Sequence, residues 1–397
     1  MPINKIIRDF LWWLIRENRL VNWSYQHLAS RLFPIQPIPA SLSELPLTTK
    51  SDYLEAKSAI WLSVEGFSSG TTNKPFKVHR SLKSILLEEY TIKSAFARYK
   101  VPLRPKIAVI RGDQPVRATE TDGPFWMKLP FTGRLMMSSY HIGPKTSKQY
   151  FDKLSEFKPD AILAYPSSIA LLAKLAKQQN WKADWPLRCI LTSSETFKPD
   201  KQALVSEIFG NVICDHYGLA ERVAVLQSCP QGHYHVREDY GWVEFVNDEH
   251  GLKIVGTNIH NKAMPMPRYD TVDYVQGLNT QGNCPCGNPS PYVEQILGRD
   301  DDYVILPDGR QIGRMNLAFV GINGLVEAQI EQLEYDHIVV RFVAFPDADM
   351  ETLKSDITYN VRGRVGTEPT LELVPMAALP RTSRGKFQSV VRSKKLV

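Results

Sequence analysis

Phe67-Ser68-Ser69-Gly70-Thr71-Thr72-Asn73-Lys74-Pro75 gathers hydroxyls, a glycine and a lysine into one short stretch. Gly70 opens backbone angles closed to other residues, so the chain can turn its amide N–H groups toward an anion. Ser68, Ser69, Thr71 and Thr72 add hydroxyl donors and Lys74 adds charge. Such an arrangement stabilises negative charge on a transferring phosphoryl group. It is not a Walker loop, because the glycine to Gly-Lys-Ser/Thr spacing is absent and Pro75 forbids the helix that should follow. A Ser/Thr-rich surface turn has the same composition, so the decision rests on the rest of the chain.

The 397 residues are 43% hydrophobic and 23% charged, a globular composition long enough for two or three domains. A formal charge of +6 favours an anionic ligand such as a nucleotide, or a membrane-surface neighbour, without demanding nucleic acid. Five cysteines, an odd number placed late, argue against a secreted disulfide framework and for a reducing, cytoplasmic compartment. The apolar run Phe10–Ile15 is too short to span a bilayer. It reads as a packing helix, with weak membrane-surface association as the rival.

Downstream of a proline-dense connector from Pro34 to Pro46, residues 51–60 read as a short helix. Residues 76–79 alternate like a strand, and 82–99 carry apolar residues at helical spacing. Residues 106–110, 161–164 and 189–191 read as strands, and 147–158 and 167–179 as helices, the latter capped by Ser167 or Ser168. This alternation predicts a large α/β domain with a mostly parallel sheet. Beyond it, 326–332 and 338–345 form a hairpin, 349–361 a helix and 370–374 a strand. Together they make a small α+β domain. The division expected is 1–298 and 299–397.

Asp215-His216-Tyr217-Gly218-Leu219-Ala220-Glu221 follows the apolar run Val212–Cys214, a placement at the carboxyl end of a strand where ligands bind in open α/β sheets. Tyr217 offers a flat face for a base and Glu221 a hard oxygen for Mg²⁺. Further on come Arg268-Tyr269-Asp270-Thr271-Val272-Asp273, Gly298-Arg299-Asp300-Asp301-Asp302 and Pro380-Arg381-Thr382-Ser383-Arg384-Gly385-Lys386.

These five stretches, in this order, resemble the motifs of the adenylate-forming enzymes. Within them they look closest to the phenylacetate-CoA ligase-like family and its capsular polysaccharide branch. The resemblance runs from about Ser68 to Lys386. It implies a large N-terminal α/β domain and a small mobile C-terminal α+β domain. It also implies ATP-dependent activation of a carboxylic acid as an acyl-adenylate, with release of pyrophosphate. By resemblance Ser68, Ser69, Gly70, Thr71, Thr72 and Lys74 grip the ATP phosphates, with Thr71 counted among the catalytic residues. Asp215, Tyr217 and Gly218 contact the nucleotide, with Tyr217 on adenine. Glu221 ligates Mg²⁺, Asp273 and Arg299 serve the ribose, Asp301 is the hinge, and Lys386 neutralises the α-phosphate. Tyr140, His141, Tyr165, Ser167, Ser193 and Ser194 are candidate walls of the acid pocket, compatible with an aromatic or amino acid. The acceptor is CoA, an amino sugar or a carrier thiol. The segment from Tyr303 to Ile312 differs from what CoA ligases place beside the pantetheine, which puts CoA in question.

Cys229, Cys284 and Cys286 with a histidine match a closed Cys₃His zinc site, structural because no coordination position is left open. The Tyr-His-Val pattern of some relatives selects His235 over His233. A zinc-ribbon nucleic-acid module is a poor rival, since basic residues are not clustered beside the cysteines. Gly66-Phe67-Ser68-Ser69-Gly70 also fits the nucleophile elbow of serine hydrolases, with His337 as the required late histidine. An elbow, however, demands a helix directly after it. A non-catalytic nucleotide-binding protein would keep the fold without needing Glu221 or Lys386.

Overall fold

The computed structural model describes residues 33–67, 76–111, 113, 115–116, 120, 122–130, 132–298, 304–308, 311–312, 315–319, 321–382, 387–393 and 396. The first elements in chain order are β1 (Ser63–Phe67), β2 (Lys77–Ser81), α1 (Leu82–Arg98), β3 (Ile107–Arg111), β4 (Trp126–Lys128) and β5 (Leu135–Ser138). Next come α2 (Ser147–Phe157), β6 (Ala161–Ala164), α3 (Pro166–Gln178), β7 (Cys189–Ser193), α4 (Pro199–Phe209) and β8 (Ile213–Gly218). A strand-rich stretch follows: β9 (Val225–Ser228), β10 (Tyr234–Val236), β11 (Gly241–Asp248), β12 (Gly251–Asn258), β13 (Tyr269–Asn279) and β14 (Tyr292–Gly298). The chain closes with β15 (Val304–Ile305), β16 (Gln311–Ile312), β17 (Leu325–Glu334), β18 (His337–Ala344), α5 (Met350–Val365), β19 (Thr370–Pro375) and β20 (Val390–Arg392).

Two compact units are present. One gathers Met1–Pro105, Arg188–Thr196 and Val212–Gly298; the other gathers Lys106–Leu187, Phe197–Asn211 and Arg299–Val397. In the first, the strands run in the order β11-β12-β13-β14-β10-β9-β8-β7. Only β7 and β8 are parallel; every later neighbour is antiparallel. The sheet is therefore mixed rather than mostly parallel. Parallel pairing needs a crossover, and after α4 the connections shorten to turns that return the chain antiparallel. The apolar core of this unit includes Phe76, Val223, Leu226, Tyr234, Ile254, Met266, Tyr269 and Val293.

In the second unit β3 lies parallel to both β5 and β6, with β4 antiparallel to β5. All four β6 residues are buried, as a strand covered on both faces requires. A separate sheet in the order β19-β18-β17-β20 is built on the antiparallel β17–β18 hairpin, with β19 and β20 added in parallel at its edges. Helix α5 buries Leu353, Ile357, Val361 and Val365, one apolar stripe at four-residue spacing, into the core shared with Ile330, Val340 and Phe342. Asp349 caps it, accepting from the amides of Glu351 and Thr352. Among the described residues no helix is long and apolar enough to cross a membrane.

Two local expectations are corrected. Residues 51–60 hold only a 3₁₀ turn, Lys50–Tyr53, closed by a reciprocal Thr49–Asp52 capping box. Beyond it the Ser58 hydroxyl donates to the Ile60 carbonyl at 2.7 Å, a local bond that competes with helix. Helix α3 starts one residue earlier than expected, with Pro166 in its first turn and Tyr165 as the flanking residue. Proline's fixed φ and missing donor suit that position, which leaves Ser167 and Ser168 buried inside the first turn. The run Phe10–Ile15 lies outside the described residues.

Candidate functional site

Strand β8 continues through Asp215, His216 and Tyr217 to Gly218, so the sequence cluster lies on the strand itself and Glu221 in the turn after it. Asp215 is buried and accepts from Thr192 Oγ1 at 2.5 Å and from the Tyr234 hydroxyl at 2.9 Å. Burial pushes its carboxyl up to about 6 despite those donors. Tyr217 donates its hydroxyl to Asp273 Oδ2 at 2.7 Å.

Asp273 reaches that position through an irregularity in β13. Val255 pairs with Asp270 but Lys253 pairs with Tyr274, so β13 carries two extra residues across this interval. Val272, at the crest, has φ +60, a region that costs a β-branched residue strain. The Thr271 hydroxyl donates to the Ile254 carbonyl at 2.7 Å and accepts the Asp273 amide at 3.1 Å, which sets the bulge. Bulges re-aim side chains beside sites in this way.

The turn holding Glu221 is pinned from several sides. The Arg222 amide donates to the Leu219 carbonyl at 3.2 Å, and Arg222 itself sits at φ +64. Asn258 Nδ2 donates to the Glu221 carbonyl, and the Tyr269 hydroxyl to Glu221 Oε1, both at 3.4 Å. Gly241 and Gly256 let the Val223 carbonyl come so close that a Cβ on either would lie 2.6 or 2.8 Å from its oxygen. Arg222 is ion-paired with Glu88 of α1, whose carboxylate also accepts the Tyr240 hydroxyl at 2.7 Å and lies 3.4 Å from His216 Nε2. Burial works to raise the Glu88 pKa, but Arg222 and His216 outweigh it and hold the carboxyl below its ordinary range. Glu88, Arg222 and the bulge were not read from the sequence, and Tyr269 was read only as part of a motif, not as a partner of Glu221. Nothing in the local spacing marks these contacts, because the partners lie far away in the chain.

Ser68, Ser69, Gly70, Thr71, Thr72, Lys74, Arg299, Asp301 and Lys386 lie outside the described residues. Their flanks are informative. Strand β1 pairs antiparallel with β2, Phe67 opposite Lys77, so the first described element after this stretch is a strand, and among the described residues no helix follows it directly as a nucleophile elbow requires. Upstream of Lys386, Arg381 Nη2 bonds both carboxylate oxygens of Glu327 at 2.9 and 2.8 Å, and its guanidinium stacks 4.8 Å from the Phe387 ring. Of the pocket residues, His141 bonds Ser138 Oγ at 2.8 Å and stacks on Phe125, and the Tyr165 amide donates to the Ile110 carbonyl. Tyr140 follows β5 and lines a small cavity with Leu171, Val326 and Arg381. In the other unit, Ser193 ends β7 and Ser194 adopts φ +78.

Cys229, His235, Cys284 and Cys286 bring their ligand atoms within 4.8 Å of one another. A tetrahedron with metal–sulfur bonds of about 2.3 Å has edges of about 3.8 Å. The Cys229–Cys284 Sγ separation is 3.8 Å and His235 Nε2 lies 3.3 Å from Cys286 Sγ, so the donor set fits one zinc ion. The Ser290 carbonyl, 3.1 Å from His235 Nδ1, fixes that ring with Nε2 toward the thiols. His233 stands just outside, stacked on Tyr292 with Nδ1 3.2 Å from Cys284 Sγ.

Residues 304–393 match the family model described as CapK C-terminal domain. The chain is 22% identical over 275 residues to Protein CapK of Staphylococcus aureus, covering 68% of this chain and 61% of that protein. It is 23% identical over 284 residues to phenylacetate-coenzyme A ligase of Thermus thermophilus, covering 61% of this chain and 62% of that protein. In both cases it spans less than two thirds of the relative's length. In fold it is similar to a 2-hydroxyisobutyryl-CoA ligase solved in the postadenylation state in complex with R3-HIB-AMP. The TM-score is 0.58 at 18% identity, over 88% of this chain and 80% of that one. The C-terminal part of the chain thus matches the CapK C-terminal domain, the chain is similar to CapK and to a phenylacetate-CoA ligase, and it has the fold of the adenylate-forming enzymes.

Proposed function

We propose that the protein activates a carboxylic acid with ATP and passes the acyl group to an acceptor. A carboxylate oxygen attacks the α-phosphorus, the bond to the β,γ-pyrophosphate breaks, and an acyl-adenylate forms. The acceptor then attacks the acyl carbon and AMP leaves. The observation that carries this reading is the Tyr217–Asp273 hydrogen bond of 2.7 Å, with Glu221 buried in the turn directly after the same strand. Tyr217 and Asp273, from two separate motifs, thereby meet, and Glu221 follows four residues after Tyr217. Tyr217 supplies the face for adenine and Asp273, an acceptor-only carboxylate, supplies the ribose contact with Arg299. Ser68 to Lys74 grip the phosphates and Thr71 orients them. Glu221 would hold Mg²⁺ through a hard oxygen, which a carboxylate on a pinned turn suits. Lys386 stabilises charge on the α-phosphate as the acid attacks. It belongs to the lid domain, 299–397, which turns about Asp301 relative to 1–298.

The residues proposed for the acid pocket, Tyr140, His141 and Tyr165 with Ser193 and Ser194, have a polarity that favours an aromatic or amino acid. Cys229, His235, Cys284 and Cys286 would hold one structural zinc, leaving ATP and Mg²⁺ to the chemistry. The residues after the hinge form a short β15–β16 pair, and their sequence, Tyr303 to Ile312, differs from the stretch that borders pantetheine in CoA ligases. The preferred acceptor is therefore a small nucleophile such as an amino sugar, in surface polysaccharide or secondary metabolite assembly, ahead of CoA or a carrier thiol. The five unpaired cysteines support a reducing, cytoplasmic setting.

The test is ATP–pyrophosphate exchange across a panel of aromatic, amino and small aliphatic acids. Exchange that depends on one class supports the reading. ATP binding without exchange on any acid favours a non-catalytic role, and ester cleavage without ATP favours a hydrolase. With the active acid in hand, added CoA should leave the acyl-adenylate unconsumed. Efficient thioester formation, impaired by Arg310→Ala, would restore the CoA ligase alternative.

A further inference from the structure

We propose that Arg80 is a positioning residue for Glu221, setting the direction of the carboxylate offered to Mg²⁺; this rests on the adenylation reading above. Arg80 lies on β2, opposite Val64 of β1. Its Nε donates to the Ala220 carbonyl at 3.1 Å, the peptide oxygen directly before Glu221. The guanidinium lies flat against Gly66, so that a Cβ there would fall 2.5 Å from its carbon and 2.7 Å from both terminal nitrogens. The absent side chain of Gly66 is thus the space the guanidinium occupies. Arginine suits this place because its planar fork is held by packing on one side and a main-chain bond on the other.

The groups facing Arg80 are Arg222, Glu88, Tyr240 and Glu221. Burial and the Arg222 charge lower its pKa to about 10, so it stays cationic at neutral pH. By binding the Ala220 carbonyl rather than the Glu221 carboxylate, it brings positive charge near Glu221 without capping the oxygens a cation needs. With Asn258 on the Glu221 carbonyl and Arg222 anchored to Glu88, Arg80 completes the fixing of the turn. A ligand held in one direction before the cation arrives binds it with less ordering cost.

The experiment titrates Mg²⁺ in wild type, Arg80→Gln and Gly66→Ala. It reads both the exchange reaction and Mg²⁺-dependent ATP binding by calorimetry. Gly66→Ala displaces only the tip of a flexible side chain, so its melting temperature should stay near wild type even if Arg80→Gln is less stable. The half-saturating Mg²⁺ concentration should rise about tenfold in Arg80→Gln, the change produced by about 1.4 kcal/mol. In Gly66→Ala it should rise in the same direction, while the rate at saturating Mg²⁺ changes less. A wild-type Mg²⁺ dependence in both variants overturns the assignment and leaves Arg80 a folding residue. Wild-type protein that binds Mg²⁺ and ATP but exchanges pyrophosphate with no acid overturns the adenylation reading alone, because the binding titration still reports on Arg80. Wild-type protein without Mg²⁺-dependent ATP binding overturns both.

Discussion

The Tyr217 phenol donates to the Asp273 carboxylate at 2.7 Å, joining the end of one strand to a bulge 56 residues later. On the proposed adenylation reading, the bond aligns the aromatic face and the acceptor edge that would meet the nucleoside. Asp273→Ala should raise the KM for ATP by about tenfold, the usual scale for a lost hydrogen bond to a charged group. Tyr217→Phe keeps the ring, so its effect should be about threefold. Steady-state exchange kinetics over an ATP series measure both, and an unchanged KM in Asp273→Ala would remove the ribose role.

Lys386 is expected to act only as the transition state forms. Lys386→Ala should therefore cut exchange by about 10²-fold or more while leaving the Kd for ATP within about threefold. Single-turnover adenylation and equilibrium ATP binding separate the two effects. Equal losses in both would mean that the lysine serves ground-state binding.

The thiol–histidine cluster should bring about one zinc per chain through purification without chelator. Cys284→Ser should lose the metal and lower the melting temperature, with activity per folded molecule retained. Elemental analysis showing no zinc would overturn the site.

Glu88 and Arg222 form a largely buried ion pair, its side chains 19% and 14% exposed, with a tyrosine and a histidine around it. Arg222→Ala leaves a buried carboxylate without its cation and should cost about 3–5 kcal/mol in chemical denaturation. Adding Glu88→Gln to that variant should recover part of the loss, because the uncompensated charge is then removed. Strictly additive losses would show that the two side chains act independently.

Asp215 sets a pH dependence of unusual sign. Its folded pKa of about 6 lies above the ordinary aspartate value of 3.8, so between these values the folded state binds more protons than the unfolded state. Its contribution to stability is therefore largest below about pH 4, falls as pH rises to about 6 and is level above. The drop is on the order of 3 kcal/mol at 1.36 kcal/mol per pKa unit. Asp215→Asn should lack it, so the stability difference between variant and wild type should change across that window in a pH series of denaturation curves. A constant difference would show that burial leaves Asp215 unperturbed.

Local periodicity alone determined the β17–β18 hairpin, helix α5 and strand β19, because each rests on apolar spacing within its own segment. The strand–helix alternation from β3 to α4 was legible for the same reason, and the order of five motifs carried the family. Alternation could not choose between His233 and His235, which share a parity two residues apart. The family pattern pointed to His235, and the fold turns that ring toward Cys286 through Ser290. The mixed pairing, the two-residue bulge before Asp273, the Glu88–Arg222 pair and the Arg80 contact with Ala220 belong to the tertiary structure alone. Each joins residues far apart in the chain whose local sequences carry no mark of the partner. Such contacts are selected by packing and by the cost of leaving a buried charge or donor unmatched, which no single stretch of sequence can express.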